Sequence, residues 1–270
     1  DWSFITPEAF YDSMKGRTAL YKTASIPLGE ISRAMEAELT QGNDVMTVSL
    51  SSGLSRNYES CCMVAEELRP KYPERKIVCV DSLHYSTSLG LLVILAAQKR
   101  EAGADIDETA AFLETEKYHI HQMGTIDDLF FLVKTGRVSN FKAFFGSMIG
   151  LNLCADFNRN GIADVLAKFK GKKDAFRAIL EYIDKTIVDP QEQILFLAHS
   201  NREEAAKLLA EQVQARFRPK EIVILPVGMS CGANIGPGLC AVFYRGKEIS
   251  EDYSEEHAIM DAIAAEIKSK

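Results

Sequence analysis

An apolar run gives way to hydroxyl groups and a glycine in the segment Asp44-Val-Met-Thr-Val-Ser-Leu-Ser-Ser-Gly-Leu-Ser-Arg-Asn-Tyr58. The first part predicts a short buried strand, and the apolar residues after the glycine recur at helical spacing. A strand that turns directly into a helix is typical of open α/β sheets, where backbone N–H groups and a helix N-terminus attract anions. Ser51, Ser52 and Gly53 are therefore candidates for an anion site. The alternative is an ordinary turn with Ser52 or Ser55 as the helix cap.

The composition is that of an ordinary globular protein. The chain has 270 residues, of which 47% are hydrophobic and 26% are charged, enough for one large domain or two modest ones. A net charge of -7 argues against nucleic acid and acidic phospholipid as partners. The longest apolar run, residues 89–97, is too short to cross a membrane, and we expect no signal peptide.

The cysteines indicate the compartment. Six are present, none in a C-x-x-C pair, and most lie in apolar segments where free thiols commonly pack. We therefore expect a reducing, cytoplasmic environment.

Strands and helices alternate along the first part of the chain. Residues 76–81 form a second continuous apolar run, of the kind that is buried on both faces of a parallel sheet. The spacing predicts helices over residues 7–14, 29–40, 86–100 and 107–118. This alternation predicts right-handed βαβ units, and hence an N-terminal α/β domain with a parallel sheet over residues 1–115.

The pattern changes over residues 116–270, which we predict to be a second α/β domain with a mostly antiparallel sheet flanked by helices. Two apolar runs flank Asn158-Arg-Asn-Gly161, and Asn-Gly between such runs favours a hairpin. The predicted strands are 118–123, 151–156, 162–169, 194–198, 221–227 and 239–244, and the predicted helices are 126–134, 140–150, 174–187, 201–217 and an amphipathic terminal helix over 254–267. A glycine-rich turn separates the last two strands.

A serine hydrolase is the leading enzymatic alternative. The run Ser49-Leu-Ser-Ser-Gly53 lacks only the first glycine of a G-x-S-x-G nucleophile elbow. Asp81 and His199 follow Ser51 in the chain order of an α/β-hydrolase triad, which would suit an esterase or a lipase. A histidine at a strand end is, however, more often a neighbour of a helix cap than a catalytic base.

Metal and nucleotide cofactors have little support. His119 and His121 would share one face of a strand, but zinc requires three or four ligands and no acidic or thiol partner is recognisable nearby. The sequence has neither a P-loop nor a G-x-G-x-x-G motif. We therefore predict no metal site and no nucleotide cofactor.

Five local patterns occur together in one order. They are Lys22-Thr-Ala-Ser25, Leu50-Ser-Ser-Gly-Leu-Ser-Arg-Asn-Tyr58, Val80-Asp-Ser82, Asp128-Leu-Phe-Phe-Leu-Val-Lys-Thr-Gly-Arg-Val-Ser139 and Gly232-Ala-Asn-Ile-Gly-Pro-Gly238. Together they resemble the DegV family, from residue 1 to about residue 249. The resemblance implies a bacterial two-domain carrier without a cofactor, which binds one long-chain fatty acid and presents its carboxylate to a separate fatty-acid kinase.

The resemblance also implies site residues. Thr23 and the pair Ser51 and Ser52 would hold the carboxylate, with Gly53 and Asn234 beside them. The tail would run along the apolar segment 141–151, for which ordinary core is the alternative.

The chain departs from the family pattern at several positions. Ala24 replaces a serine, Arg56-Asn57 replaces Gly-Thr or Gly-Ser, and Asn234 replaces a histidine. Asn234 can donate a hydrogen bond but cannot carry a charge. The opening strand of the family, with its Thr-Asp-Ser turn, has no counterpart here, and we expect the full protein to be longer.

A basic cluster lies at the end of the predicted hairpin. It consists of Lys168, Lys170, Lys172 and Lys173, in a chain that is otherwise acidic. Lysines near a helix N-terminus oppose its dipole, so local stability does not explain them. A solvated charged loop is one interpretation. The resemblance implies another, in which Lys170 and Lys172 dock the kinase.

Overall fold

The computed structural model describes residues 2–139 and 151–269. The chain divides into two compact units, one formed by residues 24–118 and one by residues 1–23 together with 119–270. The boundary predicted between residues 115 and 116 lies near the point, between residues 118 and 119, where the chain leaves the smaller unit. Residues 1–23, in contrast, group with the larger unit. The predicted helix 140–150 and most of the predicted tail segment 141–151 lie outside the described residues.

Burial of helix α1 (Pro7–Met14) explains why the first residues belong to the larger unit. Thr6 caps this helix by accepting a hydrogen bond from the Ala9 N–H. The Tyr11 side chain is fully buried, and its hydroxyl donates to the carbonyl of Val227 at 2.6 Å. Gly232 makes room for the Tyr11 ring, because any β-carbon there would overlap the phenol.

The smaller unit is built on a two-stranded parallel sheet, as predicted. Its strands are β1 (Val45–Ser49) and β2 (Ile77–Asp81), and its helices are α2 (Leu28–Leu39), α3 (Asn57–Leu68), α4 (Thr87–Glu101) and α5 (Ile106–Glu116). Apolar residues at helical spacing on α2, including Ile31 and Met35, pack with Val64 and Leu68 of α3 to form the core. The strands are in register from Val45 opposite Ile77 to Ser49 opposite Asp81.

The larger unit contains a seven-stranded mixed sheet in the order β4-β6-β5-β3-β9-β7-β8. In chain order its strands are β3 (Ile120–Ile126), β4 (Val138–Ser139), β5 (Leu151–Phe157), β6 (Ala163–Lys170), β7 (Ile194–His199), β8 (Glu221–Pro226) and β9 (Leu239–Arg245). The β4–β6 and β7–β8 pairs are parallel, and the other four neighbouring pairs are antiparallel. The prediction of a mostly antiparallel sheet is confirmed.

Five further α-helices of this unit lie in the described residues. They are α6 (Phe130–Thr135), α7 (Lys172–Thr186), α8 (Glu203–Phe217), α9 (Met229–Ile235) and α10 (Ser254–Ser269). The core lies between the sheet and the apolar faces of α7, α8 and α10. In the part of the chain described, no helix has both the length and the apolar character needed to span a bilayer.

Three local predictions need correction. Helix α6 begins four residues later than predicted, because β3 continues to Ile126 and pairs there with β5 and β9. The region after β8 is not only a turn, since residues 229–235 form α9. The helix predicted over 201–217 begins at Glu203, because Asn201 has φ 56° and its side chain donates to Asp12.

Candidate functional site

The loop that follows β1 is fixed by the loop that follows β2. Because the two strands are parallel and end in register, both loops leave from the same edge of the sheet. The Ser51 N–H donates to the carbonyl of His84 at 2.9 Å. The Asp81 carboxylate accepts the N–H groups of Ser52 and Leu83, each at 3.1 Å. The predicted anion-binding loop is therefore held by its neighbour.

Two backbone donors of this loop are already engaged within the protein. Ser51 is fully buried, and its hydroxyl oxygen accepts the Gly53 N–H at 3.2 Å. The Ser52 N–H serves Asp81. The half-buried Ser52 hydroxyl has no hydrogen-bond partner within residues 2–139 and 151–269. Of the three predicted residues, Ser52 is thus the one whose side chain can meet a ligand, whereas Ser51 supports the loop.

Ser55, which the sequence predicts only as a possible helix cap, is a second available hydroxyl. Its oxygen accepts the Asn57 N–H at 3.3 Å, at the start of α3. Accepting this bond leaves its own O–H able to donate. A serine at the N-terminal end of a 12-residue helix also lies at the positive end of the helix dipole. Ser52 and Ser55 together give the smaller unit two hydroxyl donors.

Two buried basic residues support the end of β2, and neither was found from the sequence. The Lys117 side chain is only 7% exposed, and its ammonium donates to the Asp81 carbonyl at 3.2 Å and to the Glu114 carboxylate. His84 Nε2 lies 2.6 Å from the Lys117 carbonyl, and because a carbonyl only accepts, this nitrogen carries a proton. No local sequence pattern marks either residue, because both contacts depend on the fold.

In the larger unit, the structure brings together two predicted ligand residues that are far apart in the sequence. The Asn234 side-chain amide donates to the Thr23 hydroxyl at 3.2 Å and to the Ser230 carbonyl at 3.1 Å. Thr23 is exposed and Asn234 is half-buried. The Thr23 hydroxyl accepts from Asn234, so its proton remains available to an anion.

The turn that follows Asn234 depends on glycine. Gly236 has φ 75°, and a β-carbon there would overlap the Phe131 ring. Gly238 has φ 110°, and its carbonyl accepts from Arg202 at 2.8 Å. The same guanidinium group donates to Asp127 at 2.9 Å. Arg202 therefore links the turn that ends α9 to the loop that follows β3.

The basic cluster has the exposure expected of a docking surface. Lys168 and Lys170 lie on β6, Lys172 begins α7, and Lys173 follows it. All four side chains are exposed. None has an ion-pair partner in the described part of the chain.

The proposed hydrolase triad does not have the geometry of a nucleophile elbow. Ser51 has no exposed surface, and Asp81 is occupied by two backbone N–H groups. His199 belongs to the larger unit, whereas Ser51 and Asp81 belong to the smaller one. His199 Nδ1 accepts the N–H of Arg202 at 3.3 Å, which makes it a neighbour of a helix start.

His119 lies just before β3 and not on it, and both His119 and His121 are engaged in hydrogen bonds. His119 Nδ1 bonds to the Gly246 carbonyl, and both ring nitrogens of His121 have partners. Within residues 2–139 and 151–269, no group of three or more His, Cys, Asp or Glu side chains could hold a metal ion.

Comparisons with known proteins agree on one family. A family model described as "Uncharacterised protein, DegV family" matches residues 2–247. A DegV domain-containing protein of Clostridium perfringens is 34% identical over 244 residues, which cover 90% of this chain and 84% of the relative.

Solved structures show the same fold. A DegV family protein from Thermus thermophilus, described for its fatty acid binding, is 22% identical with a TM-score of 0.81, over 91% of this chain and 86% of that one. The Fatty Acid Kinase (Fak) B3 protein of Streptococcus pneumoniae, solved loaded with linoleic acid, is 19% identical with a TM-score of 0.77, over 90% of this chain and 84% of that one.

Proposed function

Because this chain belongs to the DegV family, we propose that it is a carrier that binds one long-chain fatty acid and presents the carboxylate to a separate fatty-acid kinase. The observation that carries this proposal is the hydrogen bond between Asn234 and Thr23, two predicted ligand residues that lie 211 positions apart. Relatives support the ligand class, since the Thermus thermophilus protein is described as binding fatty acid and the Streptococcus pneumoniae protein was solved with linoleic acid.

The head group needs several donors. An ionised carboxylate that is buried without partners costs many kcal/mol, so hydrogen bonds must replace its hydration. We propose that Thr23 and Ser52 donate hydroxyl protons to it, and that Ser55 and Asn234 add to the donors. None of these groups is a strong base, which suits a protein that holds a carboxylate without transforming it.

The acyl chain supplies most of the affinity. Burial of each CH₂ group yields roughly 0.8 kcal/mol, so a tail of ~14 methylenes gains on the order of 10 kcal/mol before the costs of association. This gain is large enough for tight binding once the head group is satisfied.

A non-catalytic role agrees with the geometry better than a hydrolase does. A nucleophilic serine must be exposed to its substrate and activated by an adjacent base. Ser51 is fully buried and accepts a backbone N–H. The serine hydrolase that would use Ser51 with Asp81 and His199 therefore remains the weaker candidate.

We also propose that the partner is a kinase with an acidic docking surface, which Lys170 and Lys172 would approach. Both lysines are exposed and lack ion-pair partners in the described part of the chain.

All six cysteines are free thiols, which supports a reducing, cytoplasmic location.

Mass spectrometry of an organic extract of the purified protein tests the function. A carrier releases a fatty acid in a stoichiometric amount, and the delipidated protein should take up added fatty acid again. A protein that releases none and binds none after delipidation would contradict the proposal.

A further inference from the structure

A cleft of about 650 Å³ lies in the larger unit. It opens at the carboxyl ends of the neighbouring parallel strands β7 and β8, the edge at which open sheets commonly bind ligands. His199, Lys172 and the first three residues of α8 line it. None of the proposed head-group donors lines this cleft, so its occupant is a separate question from the fatty acid.

Helix α8 presents an uncapped N-terminus to the cleft. The helix has 15 residues, and no side chain caps it. The Asn201 side-chain amide donates to Asp12. Within the described residues, the backbone N–H groups of Glu203, Glu204 and Ala205 have no hydrogen-bond partner. Free N–H groups at the positive end of a helix dipole are the usual donors to a bound anion.

His199 is a second and independent donor in the same cleft. Its side chain is only 7% exposed. Because Nδ1 accepts the N–H of Arg202, the neutral ring carries its proton on Nε2. Burial lowers the pKa of His199, and the nearby Lys207 acts in the same direction against the opposing effect of Glu203. Nε2 has no hydrogen-bond partner in the described part of the chain, and His199 lines the cleft.

The charges around the cleft leave a cation available. Lys207 pairs with Glu203 at 2.9 Å and with Glu204 at 3.0 Å, which offsets one of the two negative charges of the first turn. Lys172 has no ion-pair partner in the described residues, and Glu8 is a lining carboxylate that also lacks one.

A buried guanidinium, which is ion-paired, also forms part of the wall of the cleft. Arg202 also lines it and is bonded to Asp127. Its Nε and Nη2 groups are buried and have no hydrogen-bond partners among the residues that the structure describes. Proline and isoleucine side chains at positions 7, 224 and 226 give the same lining an apolar portion.

We propose that this cleft is a second binding site, which takes the phosphate group of a small phosphorylated molecule on the first-turn N–H groups of α8, the Nε2–H of His199 and the ammonium of Lys172. A tetrahedral anion with several oxygens matches donors that come from a helix end, a ring and a lysine better than a planar carboxylate does. The apolar part of the lining would contact the organic portion of the ligand.

An NMR titration of the protein with inorganic phosphate at constant ionic strength tests the site. Saturable shifts are expected at the amides of Glu203 and Glu204 and at the His199 ring. Lys172→Gln should weaken binding about two- to fivefold, since one charge near a helix end is worth a few tenths to 1 kcal/mol. Lys185→Gln, which lies near the other end of α7, is the matched control and should bind like the parent.

A second variant and a second ligand complete the test. His199→Phe keeps a ring but removes the donor, and it should also weaken binding, provided that its amide spectrum shows the native fold. Phenyl phosphate should bind more tightly than inorganic phosphate if an organic phosphomonoester is the ligand, and equally if free phosphate is. Shifts that do not saturate, or that neither Lys172→Gln nor His199→Phe alters, would overturn the proposal. Fatty-acid release on extraction should be the same in all variants, so failure here is distinguishable from failure of the proposed function.

Discussion

His121 and Asp156 form a buried pair, in which Nδ1 of the ring lies 2.7 Å from a carboxylate oxygen and the side chains are 1% and 0% exposed. The other ring nitrogen, Nε2, lies 3.0 Å from the Lys247 carbonyl. Because both partners accept hydrogen bonds, both ring nitrogens are best satisfied when each carries a proton. The Tyr244 ring stacks on the imidazole at 5.1 Å.

This pair should make stability depend on pH. Burial alone lowers the pKa of His121, but the charge of Asp156 and the hydrogen bonds of Asp156 and Lys247 outweigh it, with a smaller contribution from Glu256, and the pKa is raised. A raised folded-state pKa gives stability that is fully present below the unfolded-state value and is lost as pH rises through the folded-state value. Urea unfolding of the parent should therefore give a free energy of unfolding that declines as pH rises from the unfolded-state pKa of His121 through its folded-state pKa.

The control for this prediction separates His121 from another histidine. His121→Gln should be less stable overall and should lose this part of the pH dependence. His257→Gln removes a partly exposed histidine that lies 3.4 Å from Asp164. This variant should keep the pH dependence of the parent. The facing groups Tyr182, Tyr244 and Tyr253 have pKa values raised well above 10, so they stay neutral in this range. A decline of equal slope in the parent and in His121→Gln would contradict the assignment.

Thr23 should contribute directly to head-group binding. Thr23→Ala removes the hydroxyl that accepts from Asn234 and would donate to the carboxylate. A hydrogen bond to a charged group is worth about 1.5–3 kcal/mol, so affinity for a fatty acid should fall roughly ten- to hundredfold. Thr23→Ser keeps the hydroxyl and should restore most of the affinity. Calorimetric titration of delipidated protein measures both, and equal binding by Thr23→Ala and the parent would place the head group elsewhere.

The two neighbouring serines should separate into a supporting and a binding role. Ser52→Ala removes a hydroxyl without a partner in the described residues, so it should weaken fatty-acid binding by a similar factor with little change in the urea midpoint. Ser51→Ala deletes the buried acceptor of the Gly53 N–H and should lower the free energy of unfolding by about 1–3 kcal/mol. The opposite pattern, with stability lost in Ser52→Ala and affinity lost in Ser51→Ala, would show that the roles are reversed.

The sequence predicted most of the fold because its signals are local. Apolar periodicity identified α3 and the strands on either side of it, and the Asn158–Gly161 turn identified the β5–β6 hairpin, in which Gly161 has φ 68°. It missed α9 because Gly232 inside this helix lowers helix propensity, and contact with Tyr11 stabilises the helix in the fold.

The chemistry of the site was less predictable because it depends on partners distant in the sequence. The serine-glycine loop was correctly placed at a strand end. The hydrogen bond from the Ser52 N–H to the Asp81 carboxylate follows only from the register of β1 and β2. The hydrogen bond from Lys117 to the Asp81 carbonyl and the one from Asn234 to Thr23 are likewise not encoded by any local pattern.

Gly236 should resist substitution. Gly236→Ala must place a β-carbon at φ 75° against the Phe131 ring, so we expect a loss of about 1–3 kcal/mol in the free energy of unfolding. Gly90→Ala on α4 is the matched control, because nothing lies within 4 Å of its new β-carbon, and it should be neutral or stabilising. Adding Phe131→Leu should recover the steric part of the loss only. Urea unfolding checks all three, and a Gly236→Ala protein as stable as Gly90→Ala would contradict the close packing of this turn.

Lys170 should affect the partner and not the lipid. Its side chain is exposed at the end of β6 without an ion-pair partner in the described part of the chain, so reversing its charge should not disturb the fold. If the kinase offers an acidic surface, Lys170→Glu should lower the rate of kinase-dependent acyl-phosphate formation, most strongly at low salt, because complementary charge acts mainly on the association rate. Lys170→Glu with Lys172→Glu should lower it further, and fatty-acid affinity should stay unchanged in both. Lys185→Glu, which reverses an exposed lysine near the far end of α7, controls for net charge. Equal phosphorylation of the parent and the double variant at low salt would show that the cluster is only solvated.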